Sequence, residues 1–215
     1  MALLDGTRDT AARTAVRLEY ATIGWNVIEA LVAVASALAV GSVALMAVGL
    51  DSVIEVISAV VVLQFLRRLL AGQELDAATG RRSLRIIAVT FFALAAYVTV
   101  DAVWTLVAQD RPDTSRWGLI ITTASVIVMP FLAWGKRHAA TALDHHGHRA
   151  AAVLLNADAA ETLMCAALSL AALVGLAANA LLGWWWADPV AGLVVAAMAL
   201  FEGREAWRGE LLEDG

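Results

Sequence analysis

The sequence predicts an all-α integral membrane protein with six transmembrane helices and both termini in the cytoplasm. Three observations predict it. The 215 residues are 61% hydrophobic and only 16% charged, with a mean hydropathy of +0.75. A soluble domain is about half apolar and about a quarter charged. Six stretches reach the roughly 20 mostly apolar residues that a helical span needs. The basic residues gather on one side of those stretches. This composition excludes a soluble globular enzyme and a disordered chain. A net charge of −5 argues against a nucleic-acid partner. The single cysteine, Cys165, leaves no disulfide framework.

The spans follow in order. The first covers about Tyr20–Val40 and the second about Val43–Leu66, with only Gly41 and Ser42 between them, which makes a tight helical hairpin. The third covers about Leu84–Gln109 and the fourth about Gly118–Gly135, where Pro130 is expected to bend the helix. The fifth, about Ala151–Leu182, is long enough to project beyond a bilayer. The sixth covers about Asp188–Trp207, with Pro189 in its first turn, where a missing N–H costs nothing. Residues 1–19 then form a cytoplasmic segment, 20–207 the transmembrane domain, and 208–215 a short cytoplasmic tail. No soluble C-terminal domain is expected.

Charge sets the orientation. Arg8, Arg13 and Arg17 precede the first span. Arg67, Arg68, Arg81, Arg82 and Arg85 lie between the second and third. Lys136, Arg137 and Arg149 lie between the fourth and fifth, and Arg204 and Arg208 end the sixth. Only Arg111 and Arg116 fall on the other side, so 13 of the 15 basic residues mark the cytoplasmic face. The first apolar stretch is too long for a cleavable signal peptide. Trp117, Trp184, Trp185 and Trp186 at the outer ends, with Trp134 and Trp207 at the inner ends, read as an aromatic belt.

The acids are the functional signal. Glu29, Asp51, Glu55, Asp101, Asp158 and Glu161 all fall within spans, and no Lys or Arg is placed well inside a span to neutralise them. Such groups are costly in a membrane and are either protonated or paired with a cation that is not a side chain. Asp51 and Glu55 are four apart on the second span, so both project from one helix face. Glu161 and Cys165 repeat that spacing on the fifth span at a similar depth. Two helices offering two ligands each suit a tetrahedral ion. The thiolate favours softer ions such as Zn²⁺ over the Mg²⁺, Ca²⁺ or Mn²⁺ that carboxylates alone would suit. Ligands must lose protons to bind metal, so metal and protons compete for the site.

Four more residues are candidate accessory or proton-coupling groups. Asp158 shares the Glu161 face one turn towards the cytoplasm. Asp101 is either a helix–helix hydrogen-bonding group or a proton site. Asn26 and Glu29 form either a second shell behind the metal or a polar inter-helix contact. His145, His146 and His148 lie between the fourth and fifth spans, where they either gather metal at the cytoplasmic mouth or belong to a solvated loop.

These residues carry a resemblance. Ser42–Ile57, SVALMAVGLDSVIEVI, resembles the second transmembrane helix of cation diffusion facilitators, with Asp51 and Glu55 on that family's Asp-x-x-x-Asp pair. Ala157–Cys165 resembles their fifth helix, with Glu161 on the His and Cys165 on the Asp of His-x-x-x-Asp. Gly183–Gly192, GWWWADPVAG, resembles the start of their sixth. The resemblance implies a short-branch family member without the C-terminal cytoplasmic domain. It implies a homodimeric antiporter in a bacterial cytoplasmic membrane, exporting Zn²⁺ in exchange for protons by alternating access. Glu and Cys in place of His and Asp leave Mn²⁺, Fe²⁺, Co²⁺ and Cd²⁺ open. Two rival readings are a non-transporting metal sensor or assembly subunit, and a proton-coupled carrier of a small organic cation. The chain carries no His-Glu-x-x-His motif and no phosphate-binding Gly-rich loop, which argues against a metalloprotease and a nucleotide-driven pump.

Overall fold

The computed structural model describes residues 2–72 and 77–208, with side chains for 10–72, 88–204, 207 and 208. Arg8, Arg81, Arg82 and Arg85, and the tail beyond Arg208, lie outside the described side chains. Six helices follow one another: α1 (Ala2–Val40), α2 (Val43–Leu70), α3 (Ala77–Ala108), α4 (Arg116–His145), α5 (Arg149–Leu182) and α6 (Ala187–Arg208).

The turns are chemically specified. Gly41 takes a left-handed φ of 71° and ends α1. Ser42 caps α2, its hydroxyl accepting from the Leu45 N–H at 3.1 Å. That hydroxyl in turn donates to Asp188 Oδ1 at 2.5 Å, and Asp188 Oδ2 accepts from the Val43 N–H at 2.9 Å. The start of α6 therefore latches onto the start of α2. Ser115 caps α4 by accepting from the Gly118 N–H at 3.0 Å. Gly183, with φ 68°, closes α5 in the left-handed conformation. Asn179 then ties this corner to the α3–α4 connection by donating to the Pro112 carbonyl at 2.9 Å.

The helices pack mainly as α4 with α5, α1 with α2, and α3 with α6. The α2 helix also touches α3, α5 and α6 and is the most enclosed: 61% of its apolar window is buried, against 33–39% in the other long apolar helices. Small residues allow the close approaches. A Cβ added to Gly49 of α2 would lie 2.6 Å from Val34 Cγ2 of α1, and one added to Gly175 of α5 would lie 2.9 Å from the Ala187 carbonyl of α6. Large apolar side chains such as Leu31, Val100, Val107, Phe131 and Leu181 face outward, as lipid contact requires. Trp117, Trp184, Trp186 and Trp207 are exposed too, and Trp184 stacks on Trp186 with ring centroids 5.4 Å apart.

Among the described residues, five helices, α1 to α5, are long and apolar enough to cross a membrane. The sixth, 22 residues long, carries Asp188 near its start and Glu202 and Arg204 towards its end. Charge at both ends keeps it outside that set. Helix α1 starts at Ala2, well before the expected Tyr20, and α4 also departs from expectation. The sequence places its end near Gly135, yet the helix runs ten residues further, to His145. Lys136, Ala139, Ala140 and Leu143 are buried at helical spacing, so the segment read as a loop is a packed helix end. Trp134 accordingly stands within α4, stacked on His138, and not at its inner end. The helix continues through Pro130.

Candidate metal site

The apolar interior of the bundle is crossed by a line of buried polar side chains. On α1, Glu19, Thr22, Asn26 and Glu29 recur at spacings of three and four and are all fully buried. On α2 the buried polar face is Asp51, Ser52, Glu55 and Ser58. On α5 it is Asp158, Thr162, Cys165 and Ser169, with Glu161 half-buried beside them. The α4 helix adds Thr122, Ser125 and Lys136. These faces meet as a polar seam along the length of the bundle.

At its centre Cys165 of α5 faces both carboxylates of α2, Asp51 and Glu55. Neither oxygen of Glu55 has a hydrogen-bond partner. Glu161 joins from the side nearer the α4–α5 turn, termed the inner end, with the α1–α2 turn at the outer end. Its Oε2 accepts from the Ser58 hydroxyl of α2 at 2.5 Å, while its Oε1 is buried without a partner. The four sequence-predicted ligands thus line one α2–α5 contact. They do not close around a point: among the described residues, no three of His, Cys, Asp and Glu are gathered tightly enough to hold a metal ion. The structure joins Cys165 to Asp51 and Glu55, and Glu161 to Ser58.

Towards the outer end, Glu29 Oε1 accepts from the Ser169 hydroxyl of α5 at 3.2 Å and its Oε2 is unpartnered. Trp25 Nε1 donates to the Ser125 hydroxyl of α4 at 3.0 Å. Asn26 donates to the Thr22 carbonyl at 3.0 Å and leaves its own Oδ1 unpartnered. Glu29 and Asn26 therefore belong to the seam. Asp101 is half-buried on α3, which packs on α2 and α6.

The inner end corrects the sequence reading. Lys136, expected in a cytoplasmic loop, is fully buried on α4. Its ammonium bonds to Asp158 Oδ2 and to the Thr162 hydroxyl of α5 (3.0 Å to the latter), and lies 3.4 Å from Glu19 Oε2 of α1. A lysine does lie inside a span, and Asp158 has a side-chain counter-ion. The physical reason is the extension of α4, which carries Lys136 beneath the packed ends of α1 and α5. Sequence reasoning also missed Glu19, placed just ahead of the first span, and Ser58. The signals were present: Glu19 continues the Asn26 face seven residues earlier, and Lys136 begins an i, i+3, i+4, i+7 buried pattern.

The histidines are less assembled. His145 is the last residue of α4, His146 follows it, and His148 stands at the N-cap position of α5 without a side-chain capping bond. Only a tight turn joins the helices, closed by the His146 and His148 N–H groups on the Leu143 carbonyl at 3.1 and 3.0 Å.

Buried carboxylate oxygens without hydrogen-bond partners, and a thiol facing two of these carboxylates, lie inside a bundle of membrane-length helices. Residues 20–211 match the cation efflux transmembrane domain. The chain belongs to the cation efflux family. As a family member it is an integral membrane transporter of metal cations and not an enzyme. This is the family of the cation diffusion facilitators that the α2 and α5 motifs resemble. No curated protein matches the chain.

Proposed function

We propose that this cation efflux protein exports a divalent transition metal, Zn²⁺ first, from the bacterial cytoplasm in exchange for protons. Asp51, Glu55, Glu161 and Cys165 bind the ion. One observation carries the reading: two buried carboxylates of α2 face the thiol of α5, and neither oxygen of Glu55 has a hydrogen-bond partner. A buried carboxylate in that position holds either a proton or a cation, since a bare charge in a membrane interior costs several kcal/mol. Metal and protons therefore exclude one another at the same oxygens. The thiol biases the donor set towards Zn²⁺ and Cd²⁺ over Mn²⁺. Closing the ligands around an ion requires α5 to shift against α2, and the small residues at the helix contacts permit such sliding. Repacking of this kind exposes the site to one side of the membrane at a time. Six spans with both termini cytoplasmic, and a homodimer whose contacts lie within the membrane, complete the proposal.

The test is Zn²⁺ uptake into proteoliposomes under an imposed pH gradient. We expect uptake to follow the gradient and to collapse in Asp51→Ala. Gradient-driven uptake that survives Asp51→Ala would remove this site from the mechanism. Metal binding without any flux would favour the sensor reading.

A further inference from the structure

The inner end of the seam is arranged like a cation site that already has its cation. Glu19 of α1 and Asp158 of α5 supply two carboxylates from different helices, and Thr162 supplies a hydroxyl; the Lys136 ammonium of α4 sits among them. Every one of these residues is buried, at 3% exposure or less. The set is over-supplied with acceptors for one ammonium. Asp158 Oδ1 and Glu19 Oε1 are buried with no hydrogen-bond partner. Two carboxylates face one ammonium, so the second is neutralised by a proton, which a divalent ion taking the place of the ammonium would displace. The ammonium is also within electrostatic reach of Glu55, and Asp158 lies one turn from Glu161 on α5. The inner set therefore adjoins the central one.

We propose that Lys136 is a tethered competitor of the transported ion: its ammonium occupies a latent divalent-cation site formed by Glu19, Asp158 and Thr162. An ion entering from the inner end meets a site that is filled, and cannot come to rest there. It passes to the central carboxylates, to which no ammonium is bonded among the described residues. This rests on the transport reading for its role but not for its existence, because the latent site is a property of the inner residues alone.

The experiment removes the charge and keeps the bulk. Lys136→Met and Lys136→Gln, purified in detergent, are compared with the unaltered protein for Mn²⁺ bound per chain, read by electron paramagnetic resonance and by the shift in unfolding temperature on adding Mn²⁺. Each variant is expected to bind a further Mn²⁺ ion and to gain thermal stability from it. Lys136→Met/Asp158→Asn is expected to lose both effects, and Lys136→Arg to show neither. Folded Lys136→Met and Lys136→Gln proteins with unchanged Mn²⁺ binding would overturn the proposal. So would extra binding that persists when Asp158 is also changed. Should neither single variant fold without metal, refolding by added Mn²⁺ supports the proposal, and failure to refold with it counts against it. Loss of transport in Asp51→Ala without change at the inner site separates this proposal from the transport reading.

Discussion

Two clusters of acids share the interior of this bundle, and they are held in opposite ways. The inner one, Glu19 and Asp158, has a lysine built into it. The central one, Asp51 and Glu55 against Cys165, has no basic side chain bonded to it among the described residues, and both Glu55 oxygens are unpartnered. The inner cluster joins three helices through one permanent cation and so serves the fold. The central cluster is left incomplete, and that incompleteness is what makes it available to an exchangeable ion. A buried charge is stabilising only while its partner remains. The same chemistry therefore gives a staple where the partner is covalently attached and, on the proposed reading, a transport site where it is not.

The largest expected effect breaks the staple. Lys136→Ala leaves Glu19 and Asp158 facing each other without a counter-ion and opens a cavity beneath α1 and α5. We expect a loss of about 3–5 kcal/mol of stability, as for other buried pairs stripped of one partner. Thermal unfolding in detergent without divalent metal measures it. A loss below about 1 kcal/mol would mean that water already reaches the triad.

The converse change belongs to the centre. Glu55→Gln removes a buried carboxyl with no partner to strand, so stability should move by no more than about 1 kcal/mol. Transport should nonetheless fall by about a hundredfold, the equivalent of about 2.7 kcal/mol at one ion contact. Initial rates of metal uptake under a pH gradient, set beside the unfolding temperature of the same preparation, give both numbers. Equal losses of stability and transport would erase the distinction between the two clusters.

Much of this was legible in the sequence because hydropathy, helix period and charge all act locally. The α1–α2 hairpin at Gly41-Ser42 and the Asp51/Glu55 and Glu161/Cys165 spacings need only the geometry of one helix. Lys136 was not legible by the same route. It sits on the run Lys136-Arg137-His138, which reads as a loop at the cytoplasmic edge. Its burial depends on Glu19 and Asp158, remote in sequence, arriving from two other helices. The interplay of Asp188 with the start of α2 is hidden for the same reason: the Ser42–Asp188 bond spans 146 positions. The histidines lie where local propensity decides the helix ends: Ala139-Ala140-Thr141-Ala142 extends α4, so His145 ends that helix, His146 follows it and His148 stands at the start of α5.

The smallest effect tests how the central cluster is completed. Ser58 donates to one oxygen of Glu161 and leaves the other buried and free. A carboxylate held at Oε2 can still turn Oε1 towards an ion, so Ser58 fixes the orientation of a ligand without being one. Groups that orient metal ligands in this way are worth about 10–100-fold in affinity. Glu161 is only half-buried, and water can replace part of a lost hydroxyl there. We therefore expect Ser58→Ala to raise the KM for metal by about tenfold, the low end of that range, with kcat unchanged. Ser58→Thr, which keeps the donor, should restore most of the affinity. A fall in kcat at constant KM would instead place the Ser58–Glu161 bond in the conformational step, as a contact that must break before α5 can move against α2.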